Sequence, residues 1–366
     1  MGRDDNRADG SDGSGWISAE RGGCRVAGAI VVVEPGGSRG VEVAHAPLSA
    51  RFHRPTLACG EVLGRSALGQ VVETLQSAGI DPIALVGKGP PSPHVLDQTH
   101  RVASNAWSVL WQEATEKLAG LSEQKLDAIL ILSVGAYIEF GPAEILEFHR
   151  ELDEPVVRAC DEQGVLNLWV IDPARIPAHI GLMNYLQATR PVPYSVPGYV
   201  NRLDSPRDLR RLVVDSLNCR CNFKPDGVEV KPGIWMGQGS QVERTVRLVA
   251  PVFIGRGAKV EGQCLVTRAS NIESDSQVDY GTVIEDSSVL SNTYVGIGLD
   301  LSHSIADGNH VLNLQRGIVL EISDPVVLRR LETKGRVETG RRFIANVESG
   351  EIAASSGQGN RRSTDS

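Results

Sequence analysis

Two folds in series are what the sequence predicts: a doubly wound α/β sheet, then a coil of short parallel strands. Two observations carry this. Between Arg25 and Leu217, apolar runs that suit buried strands alternate with amphipathic helical patterns. That order builds a largely parallel sheet with helices on its faces. From Met236 to Tyr294, a six-residue period takes over. Every sixth residue (Met236, Val242, Leu248, Ile254, Val260, Val266, Ile272, Val278, Ile284, Leu290) is aliphatic or Met. Four residues after each stand Ser240, Val246, Val252, Ala258, Cys264, Ser270, Ser276, Thr282, Ser288 and Tyr294, all but the last small or β-branched. Neither a 3.6 nor a 2.0 period gives both rows, and a fixed longer period marks a structural repeat.

The first strand is Arg25 to Glu34, a β-branched apolar run. A glycine-rich loop, Pro35-Gly36-Gly37-Ser38-Arg39-Gly40, follows. Ser66 is placed to cap a helix carrying Leu68, Val71, Val72, Leu75 and Ala78, which Gly79 ends. Pro82 to Gly87 is the next strand. A helix from Ala103 to Ala119 buries Trp107, Leu110, Trp111, Ala114 and Leu118. Asp127 to Val134 is a central strand. Pro142 suits the first turn of a helix with Ile145, Leu146, Phe148 and Leu152. Two strands, Pro155 to Cys160 and Val165 to Ile171, flank Gln163-Gly164, and Asp172-Pro173 ends the second. Ser205-Pro206 starts a helix over Asp208 to Leu217, and Lys224 to Gly233 leads into the coil.

In the coil, each hexad forms one flat side of a triangle. The aliphatic residue points to the axis, and the residue four later packs near a corner where space is small. A single turn is unstable alone, so turns stack. The phase is expected to hold until Val295-Gly296. Ile318 to Arg330 is expected to form a strand and a short helix that seal the open end.

The chain has 366 residues, enough for two cores. Net charge is −8, which argues against a nucleic-acid partner. No apolar run reaches the ~20 residues that cross a bilayer. Six scattered cysteines, with Cys219-x-Cys221 lacking a zinc spacing, point to reduced thiols and a cytoplasmic location. The expected division is a disordered segment over 1–20, an α/β domain over 21–223, the coil and its cap over 224–345, and a disordered tail over 346–366.

The coil, with Ile254-Gly255-Arg256-Gly257-Ala258-Lys259-Val260 as its unit, resembles the left-handed β-helix of hexapeptide-repeat transferases. The preceding segments, in order, resemble the sugar-1-phosphate nucleotidyltransferases, which join a Rossmann-like domain to such a β-helix. Arg54-Pro55-Thr56-Leu57 with Gly60 is similar to that family's PKPLLPV-G segment. Leu75-Gln76-Ser77-Ala78-Gly79-Ile80 and the strand after it look like its helix-AGI-strand unit. Asp127 to Leu132 followed by Glu147-Phe148-His149-Arg150, Gly164 to Pro173, and Tyr199 to Leu209 resemble three later segments. The resemblance implies a nucleotide-binding surface using Gly36, Gly37, Arg39 and Arg54.

The departures bear on activity. The family's catalysis needs Mg²⁺ held by two Asp residues. The first, in N-G-D after the central strand, is replaced by Val134-Gly135-Ala136, with no carboxylate before Glu139. The second aligns with Arg202, a cation. The sequence therefore implies a degenerate member in sugar-nucleotide or surface-polysaccharide synthesis. Its role is regulatory, binding or scaffolding, and its ligand a nucleotide sugar or sugar phosphate. It would self-associate through the coil or partner an active paralogue. The alternative is an active nucleotidyltransferase with Mg²⁺ on relocated ligands, Glu139 and Asp204. A second alternative is acyl transfer by the coil, with His303 or His310 as general base.

Overall fold

The alternation of apolar residues along the first strand already divides the α/β core in two. A computed structural model describes residues 27–33, 61–86, 103–122, 126–177 and 179–332. In strand β1 (Ala27–Val33), Ala29 and Val31 enter one core, while Ile30 and Val32 enter another on the opposite face. A two-strand hairpin, β2 (Glu61–Val62) and β3 (Arg65–Ser66), leads into helix α1 (Ala67–Ser77). Ser66 caps α1 as the sequence predicts, its Oγ accepting from the Gly69 amide at 3.0 Å. Next come β4 (Ile83–Val86), α2 (Ala103–Ser122), β5 (Ala128–Val134), β6 (Tyr137–Ile138) and α3 (Pro142–Leu152). Then follow β7 (Val156–Asp161), β8 (Gly164–Ile171), α4 (Leu182–Ala188), β9 (Val192–Ser195), β10 (Val200–Asn201) and α5 (Pro206–Leu217).

Six strands form one mixed sheet in the order β4-β1-β5-β8-β7-β9. β4, β1 and β5 run parallel, whereas β8 is antiparallel to both β5 and β7. The pair around Gln163-Gly164 is thus a hairpin inserted beside a parallel trio. α1, α3 and α5 pack on one face through Leu75, Ile145 and Leu212. α2 and α4 cover the other through Leu110, Trp111, Ala114, Leu118 and Leu182. The Trp107 side chain expected on α2 lies outside the described residues.

Beyond Val228 the chain visits three sheets in rotation. One contains Ile234–Met236, Val252–Ile254, Asn271–Ile272, Ser288–Val289 and Ser304–Asp307. The second holds Gln241–Val242, Lys259–Val260, Gln277–Val278 and Thr293–Val295, and the third Arg247–Leu248, Leu265–Thr267, Val283–Glu285 and Asp300–Ser302. Within each sheet these strands pair in parallel. Ile254, Val260, Val266, Ile272, Val278 and Ile284 fill the axis.

The phase breaks earlier than the sequence pattern suggests. Ile254 pairs with Ile272, but Ile272 pairs with Val289 rather than Leu290. One residue is lost at the Asp286 corner. Val289 and Val295 then occupy the axis, while Leu290 turns outward into the core shared with the α/β sheet. Tyr294 leaves the small row, donates to Asp279 Oδ2 at 2.7 Å and lies under the Arg329 guanidinium. The small row also does more than save space. Ser276 donates to the carbonyl of Leu290 and accepts from the amide of Thr293. Thr282 and Ser287 repeat the pattern on the next corners.

The end closes without the expected helix. Ser304–Asp307, His310–Asn313 and Ile318–Glu321 form an antiparallel meander. Leu328–Arg330 pairs antiparallel with Thr293–Val295, and Leu328 plugs the axis. The two halves share one core: Phe253, Ala269, Leu290, Ile305 and Leu312 of the coil pack with Leu209, Leu212 and Phe223.

Candidate functional site

Three places could carry chemistry. The first is the carboxyl edge of the parallel trio. From β1 the chain crosses to β4 on one side, and from β4 it crosses back over β1 to β5. The adjacent β1 and β5 connections therefore leave in opposite directions, a change of winding beside which open α/β sheets generally bind ligands. Gly135 leaves β5 at this edge, and among the described residues no atom beyond its chain neighbours lies within 4 Å of where its Cβ would stand. Gly36, Gly37, Arg39 and Arg54 lie outside the described residues.

The second place is a cleft of about 550 Å³ between α1, β6 and residues 222–224, lined by Arg65, Glu139 and Lys224 among others. Glu139 works here as a latch. Its Oε1 accepts from the Tyr137 hydroxyl at 2.8 Å and from the Asn222 amide, and Oε2 accepts from Asn222 Nδ2 at 2.9 Å. Its own amide donates to Tyr199 O at 2.8 Å. Tyr199 in turn donates to Asp215 Oδ2 at 2.7 Å. Burial first, then the Glu139 carboxylate, pushes the Tyr137 phenol far above its ordinary range. Burial likewise lifts the nearby Cys221 thiol to about 11, which disfavours the thiolate at neutral pH.

Asp204 is exposed in the turn before the Ser205 cap. Arg202 points elsewhere: it pairs with Asp161 and donates to the carbonyls of Gly164 (3.1 Å) and Val165 (3.2 Å), pinning the β7–β8 hairpin. Its cation is thus explained by Asp161. Among the described residues, no group of three or more His, Cys, Asp and Glu could hold a metal ion.

The third place was legible only through His303, the candidate general base of the acyl-transfer alternative. Arg268, Asp286 and His303 occupy one corner on successive turns, each with positive φ (55°, 43° and 49°). His303 Nδ1 lies 2.6 Å from Asp286 Oδ2. Arg210, from α5, donates through Nη2 to Asp286 Oδ1 at 2.9 Å. It also donates to the carbonyls of Ala269 (2.7 Å) and Arg268 (3.1 Å). The left-handed corner turns these carbonyls out of the coil's ladder, and the guanidinium fork satisfies them. Burial pulls the Arg210 pKa down and Asp286 pulls it back. Arg210, Asp286 and His303 line a cleft of about 510 Å³ with Arg207, Arg211 and Arg220. The available signal was the spacing: eighteen residues from Arg268 to Asp286, then seventeen to His303. Arg210 could not be found that way, because α5 is brought to the corner only by the fold.

His310 is set apart from His303. It faces Asp307 at the closed end of the meander's first hairpin, whereas the His303 carbonyl accepts from Leu314 at the open end. No family model matches the chain, and a search of curated proteins finds no match either. Among the described residues, no helix is long and apolar enough to cross a membrane.

Proposed function

We propose that the chain is a nucleotidyltransferase-like binding protein of sugar-nucleotide or surface-polysaccharide synthesis. In this reading a Rossmann-like domain holds a nucleotide sugar or sugar phosphate, and a left-handed β-helix supports it and provides the surface for self-association or for an active paralogue. The observation that carries it is the change of winding direction between the adjacent strands β1 and β5. A crevice at a change of winding direction is where open α/β sheets bind ligands. The glycine-rich Pro35–Gly40 follows β1 directly in sequence, and the small Gly135 follows β5. Backbone amides of such a loop, with Arg39 and Arg54, are suited to phosphate oxygens.

Binding without turnover is favoured by what the candidate carboxylates do. Both oxygens of Glu139 are taken up by Tyr137 and Asn222. Asp204 stands exposed beside Arg202 in sequence. These residues do not fit a Mg²⁺ site. The test is pyrophosphate release from NTPs and sugar 1-phosphates with Mg²⁺ present. The reading expects none. Turnover that disappears in Glu139→Ala or Asp204→Asn would establish the active alternative.

The His303–Asp286 contact favours a second reading, acyl transfer at the coil corner. An imidazole held through Nδ1 keeps Nε2 for an acceptor hydroxyl or amine. Acetyl-CoA consumption that vanishes in His303→Ala would support it, and unchanged consumption would remove it.

A further inference from the structure

We propose that the cleft between α5 and the coil corner is a second ligand site, specific for a phosphate-bearing small molecule and separate from the β1–β5 edge. Four guanidiniums meet there, from Arg207, Arg210, Arg211 and Arg220, beside His303. Such a cluster is conspicuous in a chain of net charge −8. Only two carboxylates, Asp215 and Asp286, line the same cleft.

The charges are unequally matched. Asp286 serves Arg210 at 2.9 Å, and Asp215 stands 3.5 Å from Arg220. Arg211 reaches Asp208 only at 3.7 Å. Arg207 donates to the carbonyl of Leu314, a dipole that leaves its charge uncompensated. The surplus is positive. Arg210 is 5% exposed, and its Nε is buried with no hydrogen-bond partner among the described residues. Its Nη atoms are committed to Asp286 and the two corner carbonyls, so Arg210 supplies charge at the cleft floor rather than a free donor. Arg211 and Arg220 have side chains 46% and 68% exposed, so they can swing onto a ligand. Guanidinium forks match phosphate oxygens two at a time. A cleft of about 510 Å³ admits more than a bare phosphate.

Because one wall is α5 and the other is the coil, a bound ligand would tie the two halves together. Ligand that binds only the native arrangement raises its stability by mass action. Isothermal titration of the full chain with pyrophosphate, at low and raised salt, tests the site. We expect binding that weakens with salt and weakens roughly tenfold or more, about 1.4 kcal/mol, in Arg207→Ala/Arg211→Ala. Arg39→Ala/Arg54→Ala removes pyrophosphate held at the proposed nucleotide surface, so the binding that remains in that variant and weakens on adding Arg207→Ala/Arg211→Ala belongs to this cleft. Should the double variant fail to fold, the exposed single changes Arg211→Gln and Arg220→Gln give the same reading. Absence of binding, or binding lost only in the Arg39/Arg54 variant, overturns the proposal.

Discussion

Glu273 is wholly buried in the coil, yet its carboxylate serves the other half of the molecule. Its Oε1 and Oε2 accept from the amides of Leu63 and Gly64 at 2.7 and 3.0 Å, at the tip of the β2–β3 hairpin. Leu63 and Gly64 both have positive φ, 51° and 78°, a turn that aims consecutive N–H groups at one acceptor. Burial raises the Glu273 pKa from 4.5 to about 7, although these amides and Asn271 pull it down. The native state therefore holds the proton more tightly than the unfolded chain. This contribution is full below pH 4.5 and is lost as pH rises through 7. Urea unfolding should show stability falling by up to about 3 kcal/mol over that window. Glu273→Gln should flatten this part of the profile; an unaltered slope would remove the assignment. Arg210→Ala should cost about 3 kcal/mol, because Asp286 and two corner carbonyls lose their donor together. Neither residue announced its role in sequence. Glu273 sits in the hexad pattern as one more polar position, and the amides of Leu63 and Gly64 that it receives lie over two hundred residues away.

At the scale of elements, most of the chain was legible. Ser66, Pro142 and Ser205-Pro206 mark helix starts where α1, α3 and α5 begin. Those signals are local, so tertiary contacts did not override them. The hexad row identified the axial residues up to Ile284 for the same reason. It failed at Leu290, because a corner one residue shorter still left an apolar residue at the sixth position. The chain there satisfies two cores at once: Val289 faces the axis and Leu290 the sheet. Hydroxyls bridging successive turns give the small row a second function that size alone did not indicate. Removing one, in Ser276→Ala or Thr282→Ala, should cost about 1 kcal/mol each. Gly255 is held by backbone proximity: a Cβ would stand 2.6 Å from Glu273 C and from Ser274 N. Gly255→Ala should therefore push adjacent turns apart and destabilise by about 2 kcal/mol or more, read as a lowered unfolding midpoint. A neutral outcome would mean that the turns yield more readily than this spacing allows.

Over the whole molecule, the alternation of strand and helix implied a layered sheet, and β4-β1-β5 with helices on both faces is such a sheet. The antiparallel β8 and the placement of β9 were not readable, since strand order depends on which edge each crossover takes. The candidate sites divide the same way. The change of winding beside β1 follows from connectivity, and the glycine-rich Pro35–Gly40 that comes after β1 in sequence was visible as composition. The junction cleft needed α5 and the coil in contact, which no local pattern encodes. Glu139 and Arg202 were singled out as candidate ligand and as metal-repelling cation. They hold the Tyr137–Asn222 latch and the β7–β8 hairpin. The α/β domain is proposed to bind a nucleotide sugar without turning it over. Calorimetric titration of the full chain with a panel of nucleotide sugars, with and without Mg²⁺, tests this directly. Binding is expected to be independent of Mg²⁺, retained in Glu139→Gln and lost in Arg39→Ala/Arg54→Ala. No binding by any nucleotide sugar, or binding that requires Mg²⁺ and Glu139, would contradict it.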